Sequence, residues 1–316
     1  MSQSRIVMST FLTAALRELG TVGENWLADL PELVTGLAAD WSLTIGDALA
    51  GGNTAYVAEA VTHDGTPTVL KAAMPPGVAG FVPFEQQLAA LQLVGGDPYV
   101  RVLRHDEARR AVLLERLGPP LANLGWPVSR QLDALVRTAA RGWRPVSADQ
   151  FPTEAAKARW MGDYVASMWE DLGRPCPEAL AERAVHYAAA REAAFDPRRA
   201  VLVHGDAHPF NLLRTPGDAG QFRLIDPEGV AADPAMELGV IMRNLKDVLA
   251  DREPAEARRI MGRHCRRAGR LTGADPEAIW QWAYIHLVAG VLHTLSIGDH
   301  LESDRILTGV GKLTEA

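Results

Sequence analysis

Cysteine is nearly absent: Cys176 and Cys265 are the two in 316 residues. They form no CxxC or other metal-ligand spacing, which argues against a disulfide-framed scaffold and against a zinc finger or ribbon, and both read as buried thiols. A basic excess is also lacking. Lys plus Arg total 32 against 39 Asp plus Glu, a net charge of -7, so no broad electrostatic footprint for nucleic acid is expected. The acidic balance suits a cationic small molecule better. No uninterrupted apolar run reaches about 18 residues, so no membrane span or membrane partner is expected. The opening stretch, MSQSRIVMSTFLTAALRELG, is broken by Arg17 and Glu18 and lacks a small-residue cleavage site; it reads as an amphipathic helix rather than a secretion signal. A cytoplasmic protein is the expectation, and nothing in the chain indicates an oligomeric state. Internal repeats and low-complexity tracts are missing. The tail GVGKLTEA lacks the Gly-x4-Gly-Lys-Ser/Thr spacing of a phosphate-binding loop and has no helix to follow it.

What the chain does have is apolar content of 47%, ample for a large core, distributed in two textures. From Trp41 to Leu117 the pattern is strand-like: AYVAEAV (55–61), PTVLKAA (67–73), YVRVLRH (99–105) and RAVLLERL (110–117) are short and rich in branched residues. His63-Asp64-Gly65-Thr66 supplies a hairpin signal between the first two, and the polar turn from His105 to Arg109 does so for the last two. One helix interrupts them over 83–94, with Phe84, Leu88, Leu91 and Leu93 as its packed face. After LGPP (117–120) the texture is helical, over 129–140, 153–172, 177–194 and from Met236 onward, with Pro254, Gly273 and Pro276 as punctuation. The fold class predicted is α+β and bilobal: residues 1–117 as an N-terminal lobe with a small antiparallel sheet, residues 118–316 as a larger, mainly helical C-terminal lobe, and an active cleft between them.

Two short apolar strands sit inside the helical part, at 200–203 and 222–225, and each ends in an aspartate. The first leads into His204-Gly205-Asp206 and a loop closed by Asn211. Asp-x-x-x-x-Asn is the spacing by which a kinase catalytic loop presents a carboxylate to an acceptor hydroxyl and an amide oxygen to magnesium. A hydroxyl attacking phosphorus must be oriented and must lose its proton, which requires a short carboxylate at Asp206; a neutral oxygen ligand at Asn211 binds metal without adding charge beside the phosphates. The second strand, FRLID, delivers Asp226 where a kinase places its magnesium-chelating aspartate. Pairing of these two strands as a hairpin is expected to put the three side chains on one edge. Upstream, Lys71 ends the strand TVLK, where a lysine meets the α- and β-phosphates, and Glu85 opens the single helix of that lobe as its expected partner. Glu115 to Gly118, with Leu117, falls where backbone groups of a connector would hold adenine. The cofactors these motifs call for are ATP and Mg2+.

HGDAHPFN with LIDPEG resembles the phosphotransfer motifs of the aminoglycoside phosphotransferase family. The whole chain is similar to its streptomycin 6-phosphotransferase and hydroxyurea-kinase branch, through ENWLADLPELV (24–34, expected as a helix), VLKAAMP (69–75), VRVLRHDEARRAVLLERL (100–117) and IDPEGVAADPAMELG (225–239). The resemblance is strongest over 67–117 and 201–240 and weakest over 120–200. It implies a protein-kinase-like fold and transfer of the γ-phosphate of ATP to a hydroxyl of an aminoglycoside such as streptomycin. Carried over by position, Asp206 is the catalytic base, Asn211 and Asp226 hold magnesium, Lys71 with Glu85 clamps the phosphates, and His204 braces the catalytic loop. His208 is either a substrate contact or a structural histidine, and Asp233 caps or buttresses the segment after the metal-binding strand. The chain departs from the pattern in its glycine loop, where Gly51, Gly52 and Asn53 stand in place of G-x-G-x-x-G, and at Glu237, where relatives more often carry Asp.

For a guanidinium-bearing or amino-sugar acceptor the candidate carboxylates are Asp163, Glu170 and Asp171, then Asp299, Glu302 and Asp304, with Trp160, Trp169, Trp280 and Trp282 as candidate walls. Other readings stay open: a kinase of hydroxyurea or of another small hydroxylated metabolite, a metallophosphoesterase suggested by Gly-Asp-x-His at 205–208, and a non-catalytic nucleotide-binding relative. The phosphoesterase reading needs further strand-end His and Asp ligands, whereas His186, His264 and His286 fall in helical contexts. The non-catalytic reading is disfavoured by the presence of Lys71, Asp206 and Asp226 together.

Overall fold

A computed structural model describes residues 10–49, 54–77 and 82–314 of the chain. Backbone contacts divide it into two compact units, Met1–Gly118 with Thr215–Gln221, and Pro119–Arg214 with Phe222–Ala316.

The first unit opens with α1 (Thr10–Glu18) and α2 (Thr21–Trp41), followed by β1 (Leu43–Ala48), β2 (Ala55–Thr62), β3 (Pro67–Ala73), α3 (Phe84–Val94), β4 (Val102–Asp106) and β5 (Ala111–Glu115). The strands form one antiparallel sheet in the order β1-β2-β3-β5-β4. The helix expected over 24–34 continues to Trp41, because Leu30, Leu37 and Trp41 extend one apolar stripe at helical spacing. That stripe covers the face of the sheet carrying Ala58, Ala60, Leu70, Ala72, Ala111 and Leu113. Side chains alternate across a strand, so Lys71, in register with Val57 and Val112, points to the opposite face. On α3 the buried residues are Phe84, Leu88, Ala90, Leu91 and Val94, while Leu93, expected in the packed face, is 44% exposed. It sits nearly half a turn away from the centre of that stripe.

The second unit contains α4 (Val128–Gly142), α5 (Glu154–Asp171), α6 (Glu178–Ala194), β6 (Val201–Val203), β7 (Leu212–Arg214), β8 (Phe222–Leu224), β9 (Val230–Ala232), α7 (Pro234–Met242), α8 (Lys246–Ala250), α9 (Pro254–Thr272), α10 (Pro276–Ser296) and α11 (His300–Thr314). The strand pairing corrects the expected hairpin. β6 pairs with β9 and β8 pairs with β7, both antiparallel, so β6 and β8 are not partners. The cause is local: the 204–211 loop returns as β7 directly after Asn211, and β7 pairs with β8 across the intervening turn, leaving β6 for the strand beyond it.

The helical core is built around α7 and α10. Every residue from Ala235 to Met242 is buried, as are eleven residues of α10 from Ala278 to Leu292. Gly239 permits their close approach, since a Cβ there would lie 2.2 Å from Trp282 Cβ. Cys176 and Cys265 are buried free thiols, and burial pushes the Cys265 thiol up to about 12. Among the described residues no helix is long and apolar enough to cross a membrane.

Candidate active site

Four short strands hold the candidate site in the second unit. β6 leads into His204, whose backbone N–H donates to Glu237 Oε2 (2.5 Å) while Gly205 N–H donates to Glu237 Oε1 (3.3 Å). The chain then turns sharply at Gly205, with φ +85°. A side chain there is excluded twice, by the positive φ and because its Cβ would lie 2.9 Å from Glu228 Cβ. The turn presents Asp206. The His204 imidazole is buried; its Nδ1 accepts the Asp206 N–H (3.2 Å), so its Nε2–H is the group that donates to Ile225 O (2.8 Å). Burial pushes its pKa down to about 4, so the ring is neutral and ties the 204–211 loop to Ile225, just before Asp226.

Asp206 is held on both oxygens. Asn211 Nδ2 donates to its Oδ2 (3.2 Å) and to its backbone O (3.0 Å). His208 Nε2 is 3.4 Å from Oδ2, and since the Phe210 N–H donates to His208 Nδ1 (3.2 Å), the ring proton sits on Nε2 and faces the carboxylate. Arg243, just beyond α7, donates from Nη2 to Oδ1 (2.5 Å). Burial alone would raise the Asp206 carboxyl, but the Arg243 guanidinium and His208 outweigh it and hold the group well below the usual carboxylate range. Asp206 is therefore ionised and fixed in direction.

Asn211 spends its amide nitrogen on Asp206, while its Oδ1 makes no hydrogen bond among the described residues although the residue is largely buried. Its backbone O accepts from Ile225 N (2.9 Å), which brings the exposed Asp226 beside it. Asp226 occupies the left-handed region, φ +57°. One amide oxygen and one carboxylate make a hard, sparse donor set; no group of three or more His, Cys, Asp or Glu among the described residues encloses a metal. That composition fits Mg2+, which keeps several waters and takes the rest of its shell from phosphates.

Beside Asp206 lies a second carboxylate that the sequence reading passed over. Glu228 packs on Gly205, its N–H donates to His204 O (2.7 Å), and its Oε2 takes Lys157 Nζ (2.9 Å). Lys157 Nζ lies 5.3 Å from the ring centroid of Trp160, which is 46% exposed and stacked on Tyr164. His286 from α10 completes the surroundings: its buried Nε2 has no hydrogen-bond partner among the described residues, and burial with the charges of Arg243 and Lys157 holds it well below the usual imidazole range. Arg243, Lys157 and His286 lacked a local signal, since they come to this cluster from different elements, whereas Glu228 stands inside LIDPEG without any spacing that marks its role.

Glu237 has more consequence than its place in DPAMEL suggests. It is fully buried, and burial pushes its carboxyl up to about 8 from 4.5, the backbone bonds from His204 and Gly205 working the other way. A folded-state pKa above the unfolded one contributes stability below 4.5 that is lost as pH rises through 8. The melting temperature is expected to fall between about pH 4.5 and about pH 8 and to level off above that, with a shallower slope in Glu237→Gln, which has no proton to lose; equal slopes in a thermal-denaturation series would reject the assignment.

The other expected residues distribute as follows. Lys71 is buried, and its Nζ donates to Gln87 Oε1 (3.1 Å), with Gln87 anchored in turn to Val82 O (3.1 Å). Glu85, expected in that place, is exposed and makes no ion pair among the described residues; the apolar stripe of α3 turns Gln87, not Glu85, toward the sheet. Gly51, Gly52 and Asn53 lie outside the described residues. Glu115 N–H donates to Arg101 O (3.1 Å) and its Oε1 accepts from Arg101 N (2.8 Å), so that N–H is committed to the neighbouring strand rather than to adenine; Leu117 is buried. Asp233 caps α7, accepting from Ala235 N (2.8 Å), and its own N–H donates to the buried Glu154 (2.8 Å).

Trp282 does not wall a pocket: it is fully buried and its indole N–H donates to Glu154 Oε1 (2.9 Å). Trp169 is likewise core, bonded to Cys176 O. Asp163, Glu170 and Asp171 are exposed on α5. They stand about 9, 20 and 21 Å along the helix axis from Lys157, the residue that meets Glu228, and Glu170 is paired with Arg174. Glu302 pairs with Lys246, whose charged neighbours include Arg243 and Asp299, so that part of the C-terminal acidic group does approach the site.

Fold and motif together define the class, a kinase-like phosphotransferase. A choline kinase from Streptococcus pneumoniae superposes with a TM-score of 0.59 at 13% identity, covering 89% of this chain and 99% of that one, and a structure of the same-named kinase with AMP matches at 0.57. Residues 40–295 match the aminoglycoside/hydroxyurea antibiotic resistance kinase family, and the chain belongs to it. It is 29% identical over 310 residues to the streptomycin 6-kinase of Streptomyces glaucescens, 94% of each chain. It is 30% identical to the hydroxyurea phosphotransferase of Kitasatospora aureofaciens over 71% of this chain and 64% of that one.

Proposed function

We propose that this phosphotransferase uses ATP to phosphorylate a hydroxyl of a cationic aminoglycoside, with streptomycin the first substrate to test. The observation that carries the reading is similarity to a streptomycin 6-kinase along 94% of the chain, combined with an ionised, oriented Asp206 at the end of β6. A cationic acceptor is supported by Glu228, whose carboxylate interacts with Asp206, and by the 46% exposed Trp160, linked to Glu228 through Lys157. Hydroxyurea is the second reading, from the relative that carries its name.

In the proposed reaction Asp206 accepts a hydrogen bond from the acceptor hydroxyl, aligns its oxygen for in-line attack and takes its proton. Asn211 and Asp226 are the residues that would hold Mg2+, which supplies charge neutralisation of the phosphates when bound. Lys71, braced by Gln87, is the proposed phosphate contact of the first unit, and His204 and Glu237 keep the catalytic loop rigid. ATP consumption by the purified protein with streptomycin, other aminoglycosides, hydroxyurea and choline tests the reading; turnover with choline and with no antibiotic would overturn it. Glu228→Gln is expected to raise KM for streptomycin about tenfold, as loss of a charged contact of about 1.4 kcal/mol would, and to leave KM for hydroxyurea little changed. An equal effect on both would remove Glu228 from acceptor recognition.

A further inference from the structure

Arg243 lies outside every motif, yet its guanidinium is the group closest to Asp206, 2.5 Å from Oδ1. Arg243 shares this neighbourhood with two lysines, Lys157 near Glu228 and Lys246 beside Arg243 itself, and the three are committed differently. Lys157 is taken by Glu228 and Lys246 by Glu302. Arg243 makes one side-chain hydrogen bond among the described residues, the one to Asp206. A guanidinium has five N–H donors in a rigid fork, so most of them remain for a further partner, and the side chain is 33% exposed, open to solvent beside the base.

We propose that Arg243 is a catalytic residue that donates to the phosphoryl group during transfer, bridging it to Asp206. The proposal rests on the reading of Asp206 as the base. The reach follows from the chemistry: the attacking oxygen lies about 2.6–3.2 Å from its base and about 3–3.5 Å from phosphorus before transfer. A guanidinium bonded to that base therefore borders the equatorial oxygens of the phosphoryl group. Charge requires something there as well, because an ionised Asp206 approaching a phosphoryl group repels it unless a cation stands between. Arginine suits this better than lysine, since its planar fork engages carboxylate and phosphate at once. In the step itself the acceptor oxygen forms a bond to the γ-phosphorus, and the bond from that phosphorus to the β–γ bridging oxygen breaks. Its electron pair leaves with ADP, and the hydroxyl proton passes to the Asp206 carboxylate. Arg243 changes neither protonation state nor bonding; it balances the charge on the equatorial oxygens.

The alternative is that Arg243 only orients Asp206, and the two differ in a measurable way. Rates with ATP and with ATPγS are compared for the wild type, Arg243→Gln and Arg243→Lys, with streptomycin as acceptor or with water as acceptor in ATP hydrolysis. A donor to a non-bridging γ-oxygen contributes to the sulfur penalty; a residue that only positions the base does not. Arg243→Gln is expected to lower kcat about 10²–10³-fold with ATP, leaving KM for ATP within a few-fold, and to shrink the ATP/ATPγS rate ratio toward unity. Arg243→Lys should fall between, and added guanidinium should restore activity to Arg243→Gly. If both nucleotides slow by one factor and the ratio stays at the wild-type value, Arg243 is a positioning residue and the proposal fails, with the phosphotransferase reading intact. A wild type that turns over ATP with no acceptor, water included, removes that reading and the proposal with it. Should the glutamine variant not fold, the ratio in the lysine variant decides.

Discussion

Asp206→Asn is expected to lower turnover about 10²–10⁴-fold, the range for removal of a positioned general base, while nucleotide binding stays within a few-fold of wild type. Asparagine keeps the size of the side chain and one oxygen for Arg243, so the loop has no steric reason to move. It cannot accept the proton of the hydroxyl, and it lacks the charge that Arg243 and His208 stabilise. The stability cost should be small, because the Arg243 pair is about one-third exposed on both sides and ion pairs that water reaches contribute little. Single-turnover transfer and titration with a fluorescent ATP analogue separate the two effects. Full activity of Asp206→Asn would sink the base assignment, and loss of nucleotide binding in parallel would move Asp206 from chemistry to structure.

The sheet of the first unit was legible because its signals are local. Asp-Gly in the β2–β3 turn and the alternation along both strands place each boundary within a residue of where it lies. The motif residues of the second unit were legible for the same reason: Asp206, Asn211 and Asp226 sit at fixed spacings on or beside short strands, and the fold brings them together on one loop cluster. Pairing was less accessible. β6, β7, β8 and β9 have three residues each, too short for alternation to choose a partner, and the choice was made by the tight return after Asn211. Glu85 and Gln87 show how helix phase decides between neighbours of similar length, since two residues on a helix differ by more than half a turn. Trp282 was misread as a pocket wall because α10 is apolar around its whole circumference and has no outer face for a tryptophan to occupy. Arg243 and Lys157 were the hardest to see, and Glu228 and Glu237 stood in quoted motifs with no sign of what they touch. Their roles come from through-space contacts among α5, the loops after β6 and β8, α7 and the residue just beyond it, and no period in the chain marks them.

Asp226→Asn tests the other half of the proposed chemistry and separates it from the first. The residue holds a left-handed conformation, φ +57°, which asparagine tolerates nearly as well as glycine and alanine does not. The amide therefore keeps the backbone, whereas Asp226→Ala adds a strain of about 1–2 kcal/mol to any chemical effect. What the amide removes is the negative charge of the proposed metal-binding pair. With that charge gone the pair is left with two neutral oxygens, a poor match for a small divalent ion that is reluctant to shed water. The expected result is a fall in kcat of about 10³-fold at ordinary Mg2+, comparable to the loss of one strong electrostatic contact in the transition state. Raising the Mg2+ concentration should recover part of that fall. Asp206→Asn should show no such recovery, because its defect lies in proton acceptance and orientation rather than in charge on the phosphates. A Mg2+ dependence unchanged from wild type in Asp226→Asn would remove Asp226 from the metal site, and recovery of Asp206→Asn by Mg2+ would mean that the two aspartates share a single electrostatic role.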